Sequence, residues 1–161
     1  MNITRQIMAA AAALAIAAPL FAADTPDNSR PAAAREPSVR ERLANARKLL
    51  DQKRFDAAMT ELDAVVDRDP DNADAHNLLG YSWRKRPNPD LVKAIEQYQI
   101  ALKINPDHLG VHEYIGEAYL MKKDPGQAEK HLAELERICG NRTCEPYREL
   151  AKSIADYKTR N

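Results

Sequence analysis

The sequence predicts an all-α fold made of three helical hairpins followed by a capping helix. Small residues recur along two ladders, each with intervals of 34 and 36 residues. The first ladder is Ala46, Gly80 and Gly116, and the second is Ala58, Ala94 and Ala128. Pro70 and Pro106 close the first two units, where they end a helix. Two ladders that agree on one period indicate a repeated two-helix unit.

The composition favours helices and one globular domain. The chain has 161 residues, of which 44% are hydrophobic, 30% are charged and only five are glycine. Aromatic residues make up 6%, and the alternation typical of half-buried strands is nearly absent. The 24 basic and 24 acidic residues give a net charge of +0, so we expect no nucleic-acid partner.

Residues 1–23 have the pattern of a secretory signal peptide. Arg5 precedes an apolar run over residues 7–18 that is too short to span a bilayer, and Ala22 and Ala23 offer a cleavage site. A retained membrane anchor is the alternative. Since no cysteine follows the run, we expect no lipid anchor. The alanine-rich centre resembles signals of Gram-negative bacteria, which makes the periplasm the expected location.

Residues 24–37 are predicted to form a disordered linker, and residues 38–158 the folded domain. Three prolines interrupt the linker, which has almost no large apolar side chain to bury. Ser38 and Glu41 have the spacing of a reciprocal capping box, which predicts that a first helix runs over about 39–51.

The repeats are expected at about 39–72, 73–108 and 109–140, and the capping helix at about 145–158. Two extra residues in the middle unit fall in a loop over 86–90, where an insertion costs little. The capping helix places its apolar residues on one face, which would cover the last repeat. These residues are Tyr147, Leu150, Ala151, Ile154 and Tyr157.

Residues 39 to about 140 resemble the tetratricopeptide repeat family, whose pattern combines a tryptophan-like site, Leu-Gly, an aromatic residue, Ala, a second aromatic residue and Pro. The middle unit carries His76, Leu79, Gly80, Trp83, Ala94, Tyr98 and Pro106, and the last carries His112, Ile115, Gly116, Tyr119, Ala128 and Leu132. The first unit departs from the pattern in its first helix, with Arg42, Asn45, Ala46 and Leu49, although Ala58, Leu62 and Pro70 fit it. The resemblance implies a right-handed superhelical stack that acts as a non-catalytic protein-protein interaction module, an adaptor or scaffold without a cofactor.

Close helix packing accounts for the small residues of the two ladders. We expect Gly80 and Gly116 to lie where the two helices of one hairpin approach each other, because a side chain there would push the backbones apart. Replacement of Gly116 by leucine is therefore expected to overpack the array.

The first helices of such a stack line its concave side, where a partner protein or peptide would bind. The residues on that side by helical phase are Leu43, Arg47, Asn77, Tyr81, Arg84, Glu113, Glu117 and Leu120. We expect Tyr81 to be the anchor, since tyrosine offers contact area and a hydroxyl group at small entropic cost. The alternative is that Tyr81 only packs within the array.

Cys139 and Cys144 lie between the last repeat and the capping helix, and an exported protein can keep a disulfide there. A pair of free buried thiols is the alternative. Four residues separate the cysteines rather than two, which disfavours a redox-active site.

The sequence offers no catalytic residues, because it has no phosphate-binding glycine loop, Gly-x-Ser-x-Gly or His-Glu-x-x-His motif. His108 and His112, beside Glu113, are the one hint of a metal site, although a packing role for His112 is the better interpretation. Two alternatives to an adaptor therefore remain. One is a self-assembling repeat module, a homo-oligomer, and the other is a metal-binding protein.

Overall fold

The computed structural model describes residues 35–160, which form seven α-helices and contain no β-strand. The helices are α1 (Val39–Asp51), α2 (Phe55–Val66), α3 (Ala73–Lys85), α4 (Leu91–Ile104), α5 (Leu109–Met121), α6 (Pro125–Cys139) and α7 (Glu145–Arg160). They pair as three hairpins with a final helix, so the predicted all-α repeat architecture is confirmed. The predicted signal peptide and nearly all of the predicted linker lie outside the described residues. Within residues 35–160, no helix is sufficiently long and apolar to cross a membrane.

Short polar side chains start the helices by accepting hydrogen bonds from backbone N–H groups that have no partner within the helix. Ser38 and Glu41 form the predicted capping box at the start of α1. The side chains of Asn72, Asp90 and Asp124 accept from the third residue of α3, α4 and α6 in the same way. The sequence therefore sets most of the helix starts locally.

The three largest clusters of buried side chains among the described residues each join one hairpin to the helix that follows it. Ala46 and Leu62 of the first hairpin pack with Leu79 of α3. Tyr98 of the second hairpin packs with Ile115 of α5, and Leu135 of the third packs with Leu150 of α7. Because every cluster spans two units, no hairpin buries its apolar face alone.

The two ladder glycines make room for different neighbours. A Cβ atom added to Gly80 would lie 2.6 Å from Cε1 of Tyr98, which belongs to the second helix of the same hairpin. A Cβ atom added to Gly116 would lie 2.6 Å from Cδ2 of Leu150, which belongs to α7. The expectation for Gly116 is thus corrected, because the capping helix, and not its own hairpin partner, approaches it most closely.

The turn between α6 and α7 brings the two cysteines together. Their sulfur atoms lie 2.03 Å apart, at disulfide distance. Gly140, next to Cys139, has a φ of 66° and ends α6 in the left-handed conformation that favours glycine. A covalent link here would tie the start of α7 to the end of α6.

Candidate partner-binding surface

A pair of tyrosines forms the centre of the side lined by the first helices. The rings of Tyr81 on α3 and Tyr114 on α5 lie 5.2 Å apart between centroids, tilted by 55°, and both side chains are half-buried. They line a groove of about 840 Å³, called here the tyrosine groove. Its other lining residues are Arg47, Leu50, Asp51, Lys53, Phe55, Leu78, Lys85 and Pro87. Of the sequence-predicted contact residues, Arg47 and Tyr81 are brought together there.

Arg84 lies behind the tyrosine pair rather than on the surface. Its side chain is only 4% exposed, and one of its terminal nitrogens lies 2.6 Å from Oε2 of Glu117. Its Nε–H donates to the hydroxyl of Tyr98 at 3.4 Å, and its guanidinium lies 5.5 Å from the ring centroids of Tyr81 and Tyr114. The prediction of Arg84 as a contact residue is therefore corrected. It forms a buried ion pair that supports the tyrosines from below.

Asn77 and Leu120 are also buried, which corrects their prediction as contact residues. Asn77 is 7% exposed beside Gly110, and its Oδ1 has no hydrogen-bond partner among the described residues. Leu120 is 8% exposed and packs in the cluster with Leu135 and Leu150. Leu43 is half-buried against the first core cluster.

Arg47 is held in place by a polar chain that runs from α1 through α3 to the start of α5. Its guanidinium donates to Asp74 at 2.7 Å, and the other carboxylate oxygen of Asp74 lies 3.0 Å from Nε2 of His108. Both Arg47 and Asp74 keep about half of their side-chain surface exposed, at 51% and 52%. Such exposed pairs contribute little stability, so this chain orients the groove rim rather than holding the repeats together.

The side lined by the first helices is acidic at its end near α5 and α7. Burial and the neighbouring charge of Glu117 raise the pKa of Glu113 to about 7, although Arg84 opposes this rise. The charges of Glu149 and Glu145 on α7 act in the same direction as Glu117. Glu113 and Glu117, both predicted as contact residues, thus lie in an acidic region, while Glu117 is occupied by Arg84.

The three hairpins share a polar link between their two helices that the sequence analysis missed. It joins Arg42 to Glu61 at 2.8 Å, His76 to the amide of Gln97 at 2.7 Å, and His112 to His131 at 3.0 Å. The second and third links also reach the carbonyls of Pro70 and Pro106, at 3.0 and 2.8 Å. The intervals of 34 and 36 residues between equivalent positions carry the signal in the sequence.

These contacts leave no ring nitrogen of His108 or His112 open for a shared metal ion. Nδ1 of His108 accepts from the N–H of Val111, and its Nε2 contacts Asp74. His112 uses one nitrogen on Pro106 and the other on His131. In the part of the chain that the structure describes, no group of three or more His, Cys, Asp or Glu side chains has a metal-binding arrangement. The observed geometry thus gives His112 the packing role.

The histidine pair predicts a loss of stability in mild acid. A carbonyl oxygen only accepts hydrogen bonds, so Nε2 of His112 carries the hydrogen that Pro106 receives, and Nδ1 of His112 accepts from His131. Burial, and next the charge of His112, lower the pKa of His131 to about 4, with smaller effects of Glu134 and Lys130. Because unfolded histidine titrates near 6.5, the free energy of unfolding is expected to fall as the pH drops from 6.5 towards 4. For this partly exposed group we expect about 1 to 2 kcal/mol.

His131→Gln is the matched control, because glutamine reproduces the link that Gln97 makes in the second hairpin. Urea unfolding of the wild type and of the His131→Gln variant is compared between pH 4 and 8. The two should be equally stable near pH 7, and the variant should be the more stable protein near pH 4.5. The comparison cancels the opposite contribution of Glu113, whose raised pKa makes stability fall as the pH rises from 4.5 to 7. Parallel curves for the two proteins would show that the histidine pair has no such effect.

Comparison with known proteins agrees with this architecture. The profile of the family described as Tetratricopeptide repeat matches residues 43–108 and 90–142. Cellulose synthase operon protein C of Pseudomonas fluorescens (strain SBW25) is 31% identical over 71 residues, which cover 42% of this chain. The matched part is 5% of that protein's length.

Solved structures show the same fold at low sequence identity. The first TPR of Spaghetti (RPAP3), bound to the HSP90 peptide SRMEEVD, has a TM-score of 0.65 and 14% identity, covering 76% of this chain and 91% of that one. The type III secretion translocator chaperone SycD of Yersinia enterocolitica has a TM-score of 0.67 and 15% identity, covering 76% and 92%. Since the family profile matches more than half of the sequence, this chain belongs to the tetratricopeptide repeat family.

Proposed function

We propose that this protein is a non-catalytic adaptor or scaffold that binds a partner protein or peptide in the tyrosine groove. The tyrosine pair carries the proposal. Tyr81 and Tyr114 remain half-exposed in the groove, whereas Arg84, which supports both rings from below, is buried. Aromatic side chains fixed in this way lose little freedom when a partner covers them, which is a property of binding hot spots.

The structural neighbours support binding of a peptide or protein as the general activity. The Spaghetti domain is seen with an HSP90 peptide, and SycD is a translocator chaperone. Both share the fold with this chain, and the fold presents its first helices on one side as a ready-made binding surface. The HSP90 peptide and the translocator are partners of those proteins and are not assigned to this chain.

We place the adaptor in the periplasm. The support is the signal-like pattern of residues 1–23 together with the two cysteines at disulfide distance. Disulfides persist in oxidising compartments such as the bacterial periplasm and are rare in the cytosol. A disulfide that closes this loop of six residues, counted with both cysteines, would stabilise the fold by about 2 kcal/mol according to the chain-entropy relation.

Replacement of Tyr81 by alanine is expected to reduce partner capture at least tenfold, since truncation of an aromatic hot spot costs about 2 kcal/mol or more. The purified protein is immobilised, incubated with a periplasmic extract, and the captured proteins are quantified by mass spectrometry. Tyr81→Phe keeps the ring over Arg84 and should capture nearly as much as the wild type.

Val92→Ala controls for loss of exposed apolar surface, because Val92 lies on α4 and is 60% exposed outside the groove. Circular dichroism of each variant checks that the helices remain. If Tyr81→Ala keeps both its helices and its full capture, the tyrosine groove is not the binding site and the proposed function fails at this site.

A further inference from the structure

We infer that the tyrosine groove takes an acidic segment of the partner, with a large apolar side chain on the groove floor and carboxylates near Lys53 and Lys85. This inference rests on the proposed function and specifies the chemistry of its partner. Three observations carry it: an open apolar floor, unpaired cations along one rim, and an acidic region at the opposite end of the same side.

The floor is suited to a bulky apolar side chain. Leu50, Phe55 and Leu78 come from three successive helices and meet the tyrosine rings in the same groove. Part of this floor belongs to a small cluster that joins Leu49, Leu50 and Ala58 with Phe55 and Tyr81. Burial of an apolar side chain here removes surface from water on both molecules, which supplies the affinity.

The rim supplies the selectivity, because its positive charges are not neutralised by other residues of the range 35–160. Lys53 and Lys85 line the groove, are exposed, and have no ion-pair partner among residues 35–160. Arg54, equally unpaired, lines an adjoining cavity of about 430 Å³ that shares Lys53 and Phe55 with the groove. Among the described residues that line the two cavities, Asp51 is the single unpaired anion, so Lys53, Lys85, Arg54 and Asp51 together carry a net charge of +2.

The other charged residues around the two cavities already have partners. Arg47 is paired with Asp74, and Arg86 lies 3.5 Å from Asp56. A partner carboxylate would therefore meet the two lysines and Arg54 first. Exposed charges of this kind add little net affinity, but they select the sign of the partner and speed its association.

The acidic region fixes the direction in which such a segment lies. Glu113 lies among the charges of Glu117, Glu145 and Glu149, and Arg84 neutralises only Glu117, with which it forms an ion pair. An acidic segment that extended towards α7 would meet this repulsion, whereas one that extends towards the turn after α1 meets Lys53. The carboxylates of the partner are therefore expected at the Lys53 end, with the apolar side chain at the tyrosines.

Two fluorescein-labelled peptides of equal length test the inference, one with a central phenylalanine flanked by aspartate and glutamate, the other with the same phenylalanine flanked by lysine. Fluorescence anisotropy with purified protein should show binding of the acidic peptide only. Raising the salt from about 0.05 M to about 0.5 M should weaken that binding, because the Debye length falls to about 4 Å and exposed charges are then largely screened.

Charge reversal on the rim provides the decisive variant. Lys53→Glu combined with Lys85→Glu should weaken binding of the acidic peptide at least tenfold. The pair Lys48→Glu and Lys103→Glu makes the same charge change at exposed lysines outside the groove and should alter binding less than about twofold. An acidic peptide with serine in place of phenylalanine should bind more weakly than the parent.

Several results would overturn the inference. The first is that the acidic peptide does not bind at about 1 mM. The second is that the acidic and the basic peptide bind equally well. The third is that the Lys48 and Lys103 changes weaken binding of the acidic peptide as much as the Lys53 and Lys85 changes. Light scattering that shows dimers dissociated by the Lys53 and Lys85 changes would assign the groove to a second copy instead. If the lysine variant captures its periplasmic partner normally while Tyr81→Ala does not, the adaptor function stands and only the acidic specificity is wrong.

Discussion

Replacement of Glu117 by glutamine is expected to destabilise the fold by about 2 to 3 kcal/mol, because it leaves the guanidinium of Arg84 buried without a counter-charge. Arg84 is 4% exposed, while the side chain of Glu117 keeps 27% of its surface. Loss of one partner of a fully buried ion pair costs about 3 to 5 kcal/mol. The partial exposure of Glu117 lets water replace some of the lost interaction, which lowers the expected cost.

The remaining neighbours of Arg84 are weaker substitutes for the carboxylate. The hydroxyl of Tyr98 lies 3.4 Å away, and the rings of Tyr81 and Tyr114 offer only cation–π contact. Burial raises the pKa of Tyr98 well above its ordinary value, so its phenol stays neutral and cannot supply a negative charge. The unpaired cation is therefore expected to draw water into the packing between α3 and α5.

A double-mutant cycle separates the ion pair from simple loss of packing. Arg84→Met together with Glu117→Gln removes both charges and keeps most of the volume, so it should recover much of the stability lost in Glu117→Gln. Urea unfolding at neutral pH measures all four proteins. Asp156→Asn, which removes the exposed pair of Lys152 and Asp156, serves as the control and should have little effect. Additive effects of the two changes would show that Arg84 and Glu117 do not depend on each other.

The fold could be predicted because its determinants are local and repeated. The small residues recur with one period, and residues such as Ser38, Asp90 and Asp124 cap helices within three positions of themselves. Neither signal requires knowledge of distant contacts. The neighbour of Gly116 could not be predicted in this way, because Leu150 is supplied by a helix outside the repeat pattern.

The binding surface was predicted less completely, for a physical reason. Helical phase shows which side of a helix a residue occupies, but not what the next helix covers, so it predicts exposure for Asn77, Arg84 and Leu120, which are buried. The pattern of a superhelical stack also points to the first helices alone. It therefore missed Lys53 in a turn and Phe55 at the start of a second helix, both of which line the tyrosine groove.

His131 was missed because its equivalents differ in chemistry while occupying the same place. Glu61, Gln97 and His131 are 36 and 34 residues apart, and each contacts the residue at the tryptophan-like site of its own hairpin. A search for identical residues does not find such a set. A search for any polar residue at the repeat interval would have found it.

Replacement of Gly80 by alanine is expected to destabilise the protein by about 1 to 3 kcal/mol, although alanine favours helices by about 1 kcal/mol over glycine. The new Cβ atom would lie 2.6 to 2.9 Å from three atoms of the Tyr98 ring. That ring is rigid and fully buried, and its hydroxyl accepts a hydrogen bond from Arg84. To relieve the overlap, either α3 and α4 move apart, or Tyr98 shifts together with Arg84, which supports the tyrosine groove.

Two further glycines turn this change into an ordered series. The Cβ atom in Gly116→Ala meets the flexible end of Leu150, which can rotate away. The loss of stability is therefore expected to be smaller than in Gly80→Ala. In Gly126→Ala the nearest atom lies 3.7 Å away in the first turn of α6, so the protein should be unchanged or slightly more stable. The melting temperature should thus be highest for Gly126→Ala, lower for Gly116→Ala and lowest for Gly80→Ala. If Gly80→Ala melts at or above Gly126→Ala, the close contact with Tyr98 does not limit helix spacing, and the repeated small residues need another explanation.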